Sequence, residues 1–203
     1  MRIELVTPPA NPAITLSDVK IYAFMNTSSF DTKISSLIQP ATDYLEKHIG
    51  RRLIDQTLDI FMDRDEYTDR LIAYKNTITL YSLNVSSIVS LKTFDSLNAS
   101  STVTASDYRL SGNESSAESR LAFNDNVSIQ TTNLRTVDSV AIQVIAGYGA
   151  SSTFIPTPLI QALSVLIEHW VRDGQKASMT GRSEIPTNYL NLISPYMSME
   201  GYL

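Results

Sequence analysis

The chain has 203 residues, of which 43% are hydrophobic and 18% charged, with a net charge of −5 and no cysteine. This length suffices for a sizeable core, and the lack of cysteine excludes disulfides and thiolate metal sites. The acidic balance argues against a protein that holds nucleic acid on a broad basic face, and we expect neither a signal peptide nor a membrane span.

The first 14 residues contain three prolines, which disfavour a helix and predict an extended arm. Thr15 or Ser17 can then cap a short helix that runs to about Asn26. Its apolar residues, available for a buried side, are Leu16, Val19, Ile21, Tyr22 and Met25.

A long amphipathic helix is predicted next, with Asp31 able to cap its first amides. Apolar residues recur at spacings of three and four: Ile34, Leu37, Ile38, Ala41, Leu45 and Ile49. Pro40 should kink this helix or split it in two, and Gly50 suits a left-handed C-terminal cap. Arg51 and Arg52 follow, either to contact phosphate or an acidic partner, or to satisfy the negative end of the helix.

From Leu58 to about Ala146 the pattern becomes that of short strands rich in β-branched and aromatic residues. The predicted strands are 60–62, 70–74, 77–80, 85–94, 108–110, 121–123, 127–130 and 137–145. Polar loops, 95–106 and 111–119, separate some of them. We interpret this region as an antiparallel sheet or a small β-sandwich.

A third main helix should follow the glycine-rich turn at Gly147 and Gly149, with Thr157 as its cap and Pro158 as its first residue. Its apolar face should pack on the central helix, and Gly174 should end it. The predicted face consists of Leu159, Ala162, Leu163, Leu166, Ile167, Trp170 and Val171.

The last thirty residues combine a polar spacer, 175–184, with an apolar and aromatic end. Such an end either folds back on its own core or docks on another chain. The spacer favours docking.

Candidate catalytic and metal-binding groups are few. Asp63, Asp65, Glu66 and Asp69 could bind a divalent cation, but a solvated hairpin turn explains them better. His48 and His169 lack metal-ligand spacing and are interpreted as helix surface residues. We therefore expect no catalysis, no metal and no cofactor.

An ordered set of short motifs resembles the head–tail connector, or adaptor, family of tailed bacteriophages. Thr15-Leu16-x-Asp18-x-Lys20 is followed by Asp31-x-x-Ile34-x-x-Leu37-Ile38-x-x-Ala41, and then by Tyr44-x-Glu46-x-x-x-Gly50-Arg51-x-Leu53-x-x-Gln56-Thr57. The resemblance returns at 145–149, at Ile155-Pro156 and at Ala162, and so covers roughly residues 15 to 172.

This resemblance implies an α+β fold: a small bundle of N-terminal, central and C-terminal helices, an inserted antiparallel sheet or small sandwich, and an extended C-terminal arm. Residues 1–54 would contain the N-terminal arm and helices, and residues 55–150 the β-rich subdomain. Residues 151–174 would form the C-terminal helix that packs on the helical part, and residues 175–203 the C-terminal arm. It implies a non-enzymatic virion neck protein, assembled in the host cytoplasm, in a ring of about twelve copies. The implied partners are the portal protein, the stopper or tail-completion protein, and double-stranded DNA that passes through the lumen without specific binding.

Two features of the sequence suit that role. About twelve copies at −5 give a ring of roughly −60, which would repel DNA and let it slide. The apolar C-terminal segment would reach the portal, as the arm of related adaptors does. Its predicted anchors are Tyr189, Leu190, Leu192, Ile193 and Tyr196.

Two other functions remain open from the sequence. One is a β-rich binding module that recognises a surface glycan or a protein, although exposed aromatic residues in the loops are few. The other is a hydrolase that uses the carboxylates between Asp63 and Asp69, which would require a divalent metal.

Overall fold

The computed structural model describes residues 1–24, 28–74, 76–81, 83–112, 118–125, 127, 130–176 and 185–197. These residues form five α-helices and two antiparallel sheets, which confirms the predicted α+β class. The contacts divide the chain into two units. A β unit contains Met1–Pro9 and Asp55–Tyr148, and a helical unit contains Ala10–Ile54 and Gly149–Leu203.

The β unit contains a five-stranded and a three-stranded sheet. In chain order the strands are β1 (Arg2–Thr7), β2 (Gln56–Met62), β3 (Thr77–Tyr81), β4 (Val85–Phe94), β5 (Ser100–Thr102), β6 (Tyr108–Ser111), β7 (Glu118–Phe123) and β8 (Val140–Ala146). The larger sheet has the order β1-β2-β8-β4-β5 and the smaller one β3-β7-β6.

The two central strands of the larger sheet, β2 and β8, alternate between buried and partly exposed residues. Every second residue of β2 and β8 is buried, as the alternation of polar and apolar residues in β8 predicts. The predicted strand at 127–130 is wrong at its described ends, because Val127 and Gln130 lie outside the strands. The predicted loop 95–106 is interrupted by β5, which pairs with β4.

The first residues do not form a free arm. They are extended, as predicted, but they form strand β1, which pairs antiparallel with β2 from Arg2 opposite Phe61 to Thr7 opposite Thr57. The prolines that follow β1 cannot extend the strand pairing, because proline lacks an amide donor.

The acidic segment predicted as a hairpin turn, and the strand predicted at 70–74, are both wrong. Residues Arg64–Ala73 form helix α3. Asp65 and Glu66 lie in its first turn, where carboxylates favour the positive end of a helix, and Glu66 pairs with Arg70 one turn later. Tyr67 and Leu71 are its buried residues.

The helical unit contains the other four helices: α1 (Leu16–Tyr22), α2 (Asp31–Ile49), α4 (Thr157–Lys176) and α5 (Thr187–Ile193). Thr15 caps α1 and forms a capping box with Asp18. Helix α1 is shorter than predicted, and Ile21 and Tyr22 are exposed instead of buried. Two residues of the prediction, Met25 and Asn26, lie outside the described residues.

Helix α2 runs through Pro40 without a break, so of the two predicted effects of Pro40, a kink or a split, the split is wrong. Asp31 is not the cap either. The cap position is Phe30, and the Asp31 carboxylate accepts a hydrogen bond of 2.8 Å from the Lys20 ammonium on α1. This ion pair joins helix α1 to helix α2.

Helix α4 packs on α2, as predicted, and also on α1. It begins at Thr157, so Pro158 is its second residue. It continues past Gly174 to Lys176, so the predicted end at Gly174 is wrong. Its apolar face is buried, except that Trp170 is half-buried.

Candidate functional site

The end of α2 is built around the buried Glu46. Gly50 has a φ of 70°, the left-handed conformation predicted for it, and its amide donates to the Glu46 carbonyl at 2.9 Å. The carboxylate of Glu46 accepts hydrogen bonds from the Leu53 amide at 2.8 Å and from Arg52 Nη1 at 3.0 Å. One side chain therefore fixes the direction in which the chain leaves the helix.

Burial raises the pKa of Glu46, while the hydrogen bond from Leu53 and the charge of Arg52 oppose that rise. The sequence motif contains this residue, but the pattern alone does not reveal its role. A polar residue on the buried side of an amphipathic helix, four positions before the cap, is the signal that could have identified it.

The two arginines of this segment differ in accessibility. Arg51 is 6% exposed, whereas the side chain of Arg52 is 33% exposed and forms an ion pair with Glu46. Arg52 thus also stabilises the end of α2. A contact of either arginine with phosphate or an acidic partner stays a prediction.

Helix α5 is attached to the helical unit through an aromatic cluster, defined here as Tyr44, His48, Trp170 and Tyr189. The Tyr189 hydroxyl lies 3.3 Å from His48 Nδ1. The ring centroids of Tyr189 and Tyr44 are 6.3 Å apart. Tyr44 in turn meets Trp170 edge-on at 5.9 Å. Burial raises the pKa of Tyr189, with Tyr44 adding to the rise.

The predicted portal anchors divide into two groups. Tyr189 and Ile193, spaced four apart, are fully buried in the chain's own helical unit. Leu190 is 40% exposed, and Leu192 and Tyr196 are half-buried. Helix α5 thus folds back on the helical unit, and docking of the C-terminal segment on another chain stays a prediction. The spacer at 177–184 and the last residues, 198–203, lie outside the described residues.

Three of the four carboxylates of the acidic segment, those of Asp63, Asp65 and Glu66, form contacts within the β unit. Asp63 Oδ1 accepts from the Asp138 amide at 2.9 Å, and Asp65 pairs with Arg64 at 3.0 Å. Glu66 binds the N-terminal ammonium of Met1 at 2.7 Å. In the described part of the chain no group of three or more His, Cys, Asp or Glu side chains could hold a metal ion.

No described helix is long and apolar enough to cross a membrane. His169, the second histidine, is half-buried on α4.

No family model and no curated protein matches this chain. Three solved chains have its fold over nearly the whole length, each covering 98% of this chain and 96% of their own. One belongs to the virion of a native gene transfer agent (GTA) particle, with a TM-score of 0.73 and 19% identity. The others belong to the neck of an empty GTA particle computed with C6 symmetry (0.70, 18%) and to the neck of a native GTA particle computed with C12 symmetry (0.69, 19%).

Proposed function

We propose that this chain is a structural protein of the neck of a tailed bacteriophage or phage-like particle. Its copies form a ring that joins the portal to the stopper or tail and extends the DNA channel, without catalysis. The observation that carries this proposal is the agreement of fold over 98% of the chain with chains of GTA necks and virions. The ordered motifs of the sequence support the same family independently of the fold.

The charge of the chain suits a channel better than a DNA-binding surface. A net charge of −5 per copy gives a ring of about twelve copies a charge of roughly −60, which disfavours stable contact with phosphate. DNA then passes through the lumen without specific binding. The ring forms in the host cytoplasm and stays in the virion, where it takes part in genome ejection.

The C-terminal segment is the proposed contact with the portal. Leu190 is 40% exposed and needs no rearrangement to reach a partner. Direct contact by Tyr189 or Ile193 requires helix α5 to leave the aromatic cluster. Leu192 and Tyr196, both half-buried, complete the proposed docking set.

The first test is the mass of the purified full-length chain, alone and mixed with portal-bearing particles, by native mass spectrometry and electron microscopy. We expect a ring, formed either by the chain alone or on the portal. A chain that stays monomeric and does not bind portal-bearing particles would contradict the proposal.

A pair of matched variants tests the portal contact. Leu190→Asp should weaken attachment to portal-bearing particles at least tenfold, because it places a charge in an apolar contact. Ile72→Asp, at a position that is 75% exposed on α3, should leave attachment unchanged. Equal attachment of both variants would exclude Leu190 as a docking residue.

A further inference from the structure

Strand β1 is an open edge of the larger sheet, and all six of its residues are exposed. Ile3 lies opposite Ile60 and Leu5 opposite Leu58, so these two side chains are on the face that carries the core. Ile60 and Leu58 are buried, yet Ile3 is 38% and Leu5 55% exposed. The apolar face of the sheet therefore continues onto β1, where none of the described residues buries it.

The charges of β1 protect this edge only weakly. Edge strands are usually kept from pairing with other chains by charged side chains. Here Arg2 pairs with Glu4 and, at 2.8 Å, with Asp138, and it lies 4.3 Å over the Phe61 ring. Both charges are thus compensated within the chain. The free-energy cost of placing another strand beside β1 is therefore reduced.

The opposite edge of the same sheet is also partly open. Strand β4 pairs with β8 along most of its length, but β5 covers its other side only at Lys92–Phe94. Among the described residues no strand pairs with that side of residues 86–90. Val89 lies at a register shift in the pairing with β8 and is 51% exposed.

We propose that β1 of one copy pairs with the open side of β4, at residues 86–90, in a second copy of this chain. A ring of more than two copies needs two different surfaces that meet head to tail, and the two ends of one sheet provide them. Strand addition at a sheet edge supplies main-chain hydrogen bonds, and Ile3 and Leu5 supply apolar contact on the core-facing side. We infer a second copy of the chain as the pairing partner because both open edges belong to this chain. Its fold also occurs in necks computed with C6 and C12 symmetry.

This inference rests on the proposed function, because it requires a ring. It goes beyond that function by assigning the two surfaces through which neighbouring copies meet.

The absence of native cysteine makes a disulfide test direct. Glu4→Cys and Val89→Cys chains are mixed, assembled into rings and oxidised. Within one chain β1 and β4 are separated by β2 and β8, so they are about 14 Å apart and too far for a disulfide. We expect cross-linked dimers in the mixture, and a ladder up to ring size from the chain that carries both cysteines.

The matched control replaces Val89→Cys by Arg109→Cys, at an exposed position on strand β6 of the smaller sheet. This mixture should yield few or no cross-linked dimers. Rings that cross-link through Arg109→Cys, that do not cross-link at all, or that cross-link Glu4→Cys only to a different protein would overturn the edge pairing and leave the proposed function standing. The absence of any ring would overturn both.

A second pair of variants tests the apolar contact without cysteine. Leu5→Lys should reduce the ring fraction at least tenfold at a fixed concentration, while the melting temperature of the monomer stays within a few degrees of the unsubstituted chain. Ile72→Lys, more exposed and equally altered in charge, should leave rings intact. Rings that persist in Leu5→Lys would contradict the proposal.

Discussion

Strand β1 and helix α5 both carry large apolar residues, but these residues are exposed in β1 and mostly buried in α5. In α5 the residues Tyr189 and Ile193 are fully buried, whereas in β1 Leu5 is 55% and Val6 48% exposed. Periodicity explains the burial in α5 and the exposure of Val6, whereas Leu5 lies on the core-facing side of β1 and is exposed because none of the described residues covers that edge. Residues four apart on a helix share one face and can be buried together, while an edge strand with apolar residues on both faces cannot bury them all in its own chain.

This comparison shows that apolar composition does not by itself identify a docking segment. The C-terminal segment is predicted as a docking segment because it is apolar and aromatic. Two of its residues, Tyr189 and Ile193, are nevertheless buried within the chain's own helical unit. The N-terminal strand, followed by prolines and carrying two charges, gives no such signal in the sequence, yet its apolar side chains are the exposed ones. The open sheet edge, which no composition reveals, is what makes β1 a candidate interface.

The largest effect is expected for Ile193→Ala. Truncation of a fully buried isoleucine costs about 2–5 kcal/mol, here of the free energy that holds α5 on the helical unit. Amide hydrogen exchange of residues 187–193 should therefore accelerate at least tenfold. Leu190→Ala, at an exposed position of the same helix, should change exchange much less, and equal acceleration would mean that α5 is not fixed by its buried face.

A smaller effect is expected for Glu46→Ala, which asks whether a buried carboxylate fixes a segment as firmly as apolar packing does. It removes the acceptor for the Leu53 amide and the ion pair of Arg52, and we expect a loss of about 1.5–3 kcal/mol in the free energy of unfolding. Asp43→Ala, at an exposed position of the same helix, is the control. Denaturant unfolding of both variants measures the difference.

The pH dependence of the same site separates burial from hydrogen bonding. Because folding raises the pKa of Glu46, the native state binds its proton more tightly than the unfolded chain. The stability contributed by protonated Glu46 is therefore present below the ordinary value of 4.5 and is lost as pH rises through the higher native pKa. Relative to Glu46→Gln, the unsubstituted chain should lose stability over that window. A relative gain would mean that the bonds to Leu53 and Arg52 outweigh burial.

Much of the fold follows from local patterns. The alternation of β8, the apolar stripes of α2 and α4, and the glycine at the end of α2 all predict what the structure contains. Helix α3 does not follow, because it buries only Tyr67 and Leu71 and its residues include several that favour strands. Its first-turn carboxylates and the pair of Glu66 with Arg70 were the available signals.

The candidate site is less predictable than the fold because it depends on contacts between distant residues. Arg2 lies opposite Phe61, and Tyr189 lies beside His48, at separations that no local period encodes. Burial of Tyr189 and exposure of Leu5 are therefore properties of the tertiary structure. The sequence indicates only that both segments are apolar.

Tyr67→Phe tests the assumption that burial measures stabilisation. Tyr67 is fully buried in the core of the β unit, burial raises its pKa, and its hydroxyl has no hydrogen-bond partner among the described residues. Removing that hydroxyl should be neutral or should raise the free energy of unfolding by about 1 kcal/mol. Chemical denaturation measures the change, and a clear loss of stability would show that the hydroxyl is satisfied in solution.

The smallest effect on stability is expected for Leu5→Ala, which tests whether an exposed apolar residue of β1 contributes to the stability of the monomer. Leu5 is 55% exposed and lies opposite Leu58, which is 1% exposed. In the monomer Leu5→Ala should cost less than about 0.5 kcal/mol, whereas Leu58→Ala should cost about 2–5 kcal/mol. Equilibrium unfolding at concentrations where the chain is monomeric measures both. A cost above about 1 kcal/mol for Leu5→Ala would mean that β1 is packed within its own chain much as α5 is, and the open apolar edge on which the pairing of neighbouring copies depends would not exist.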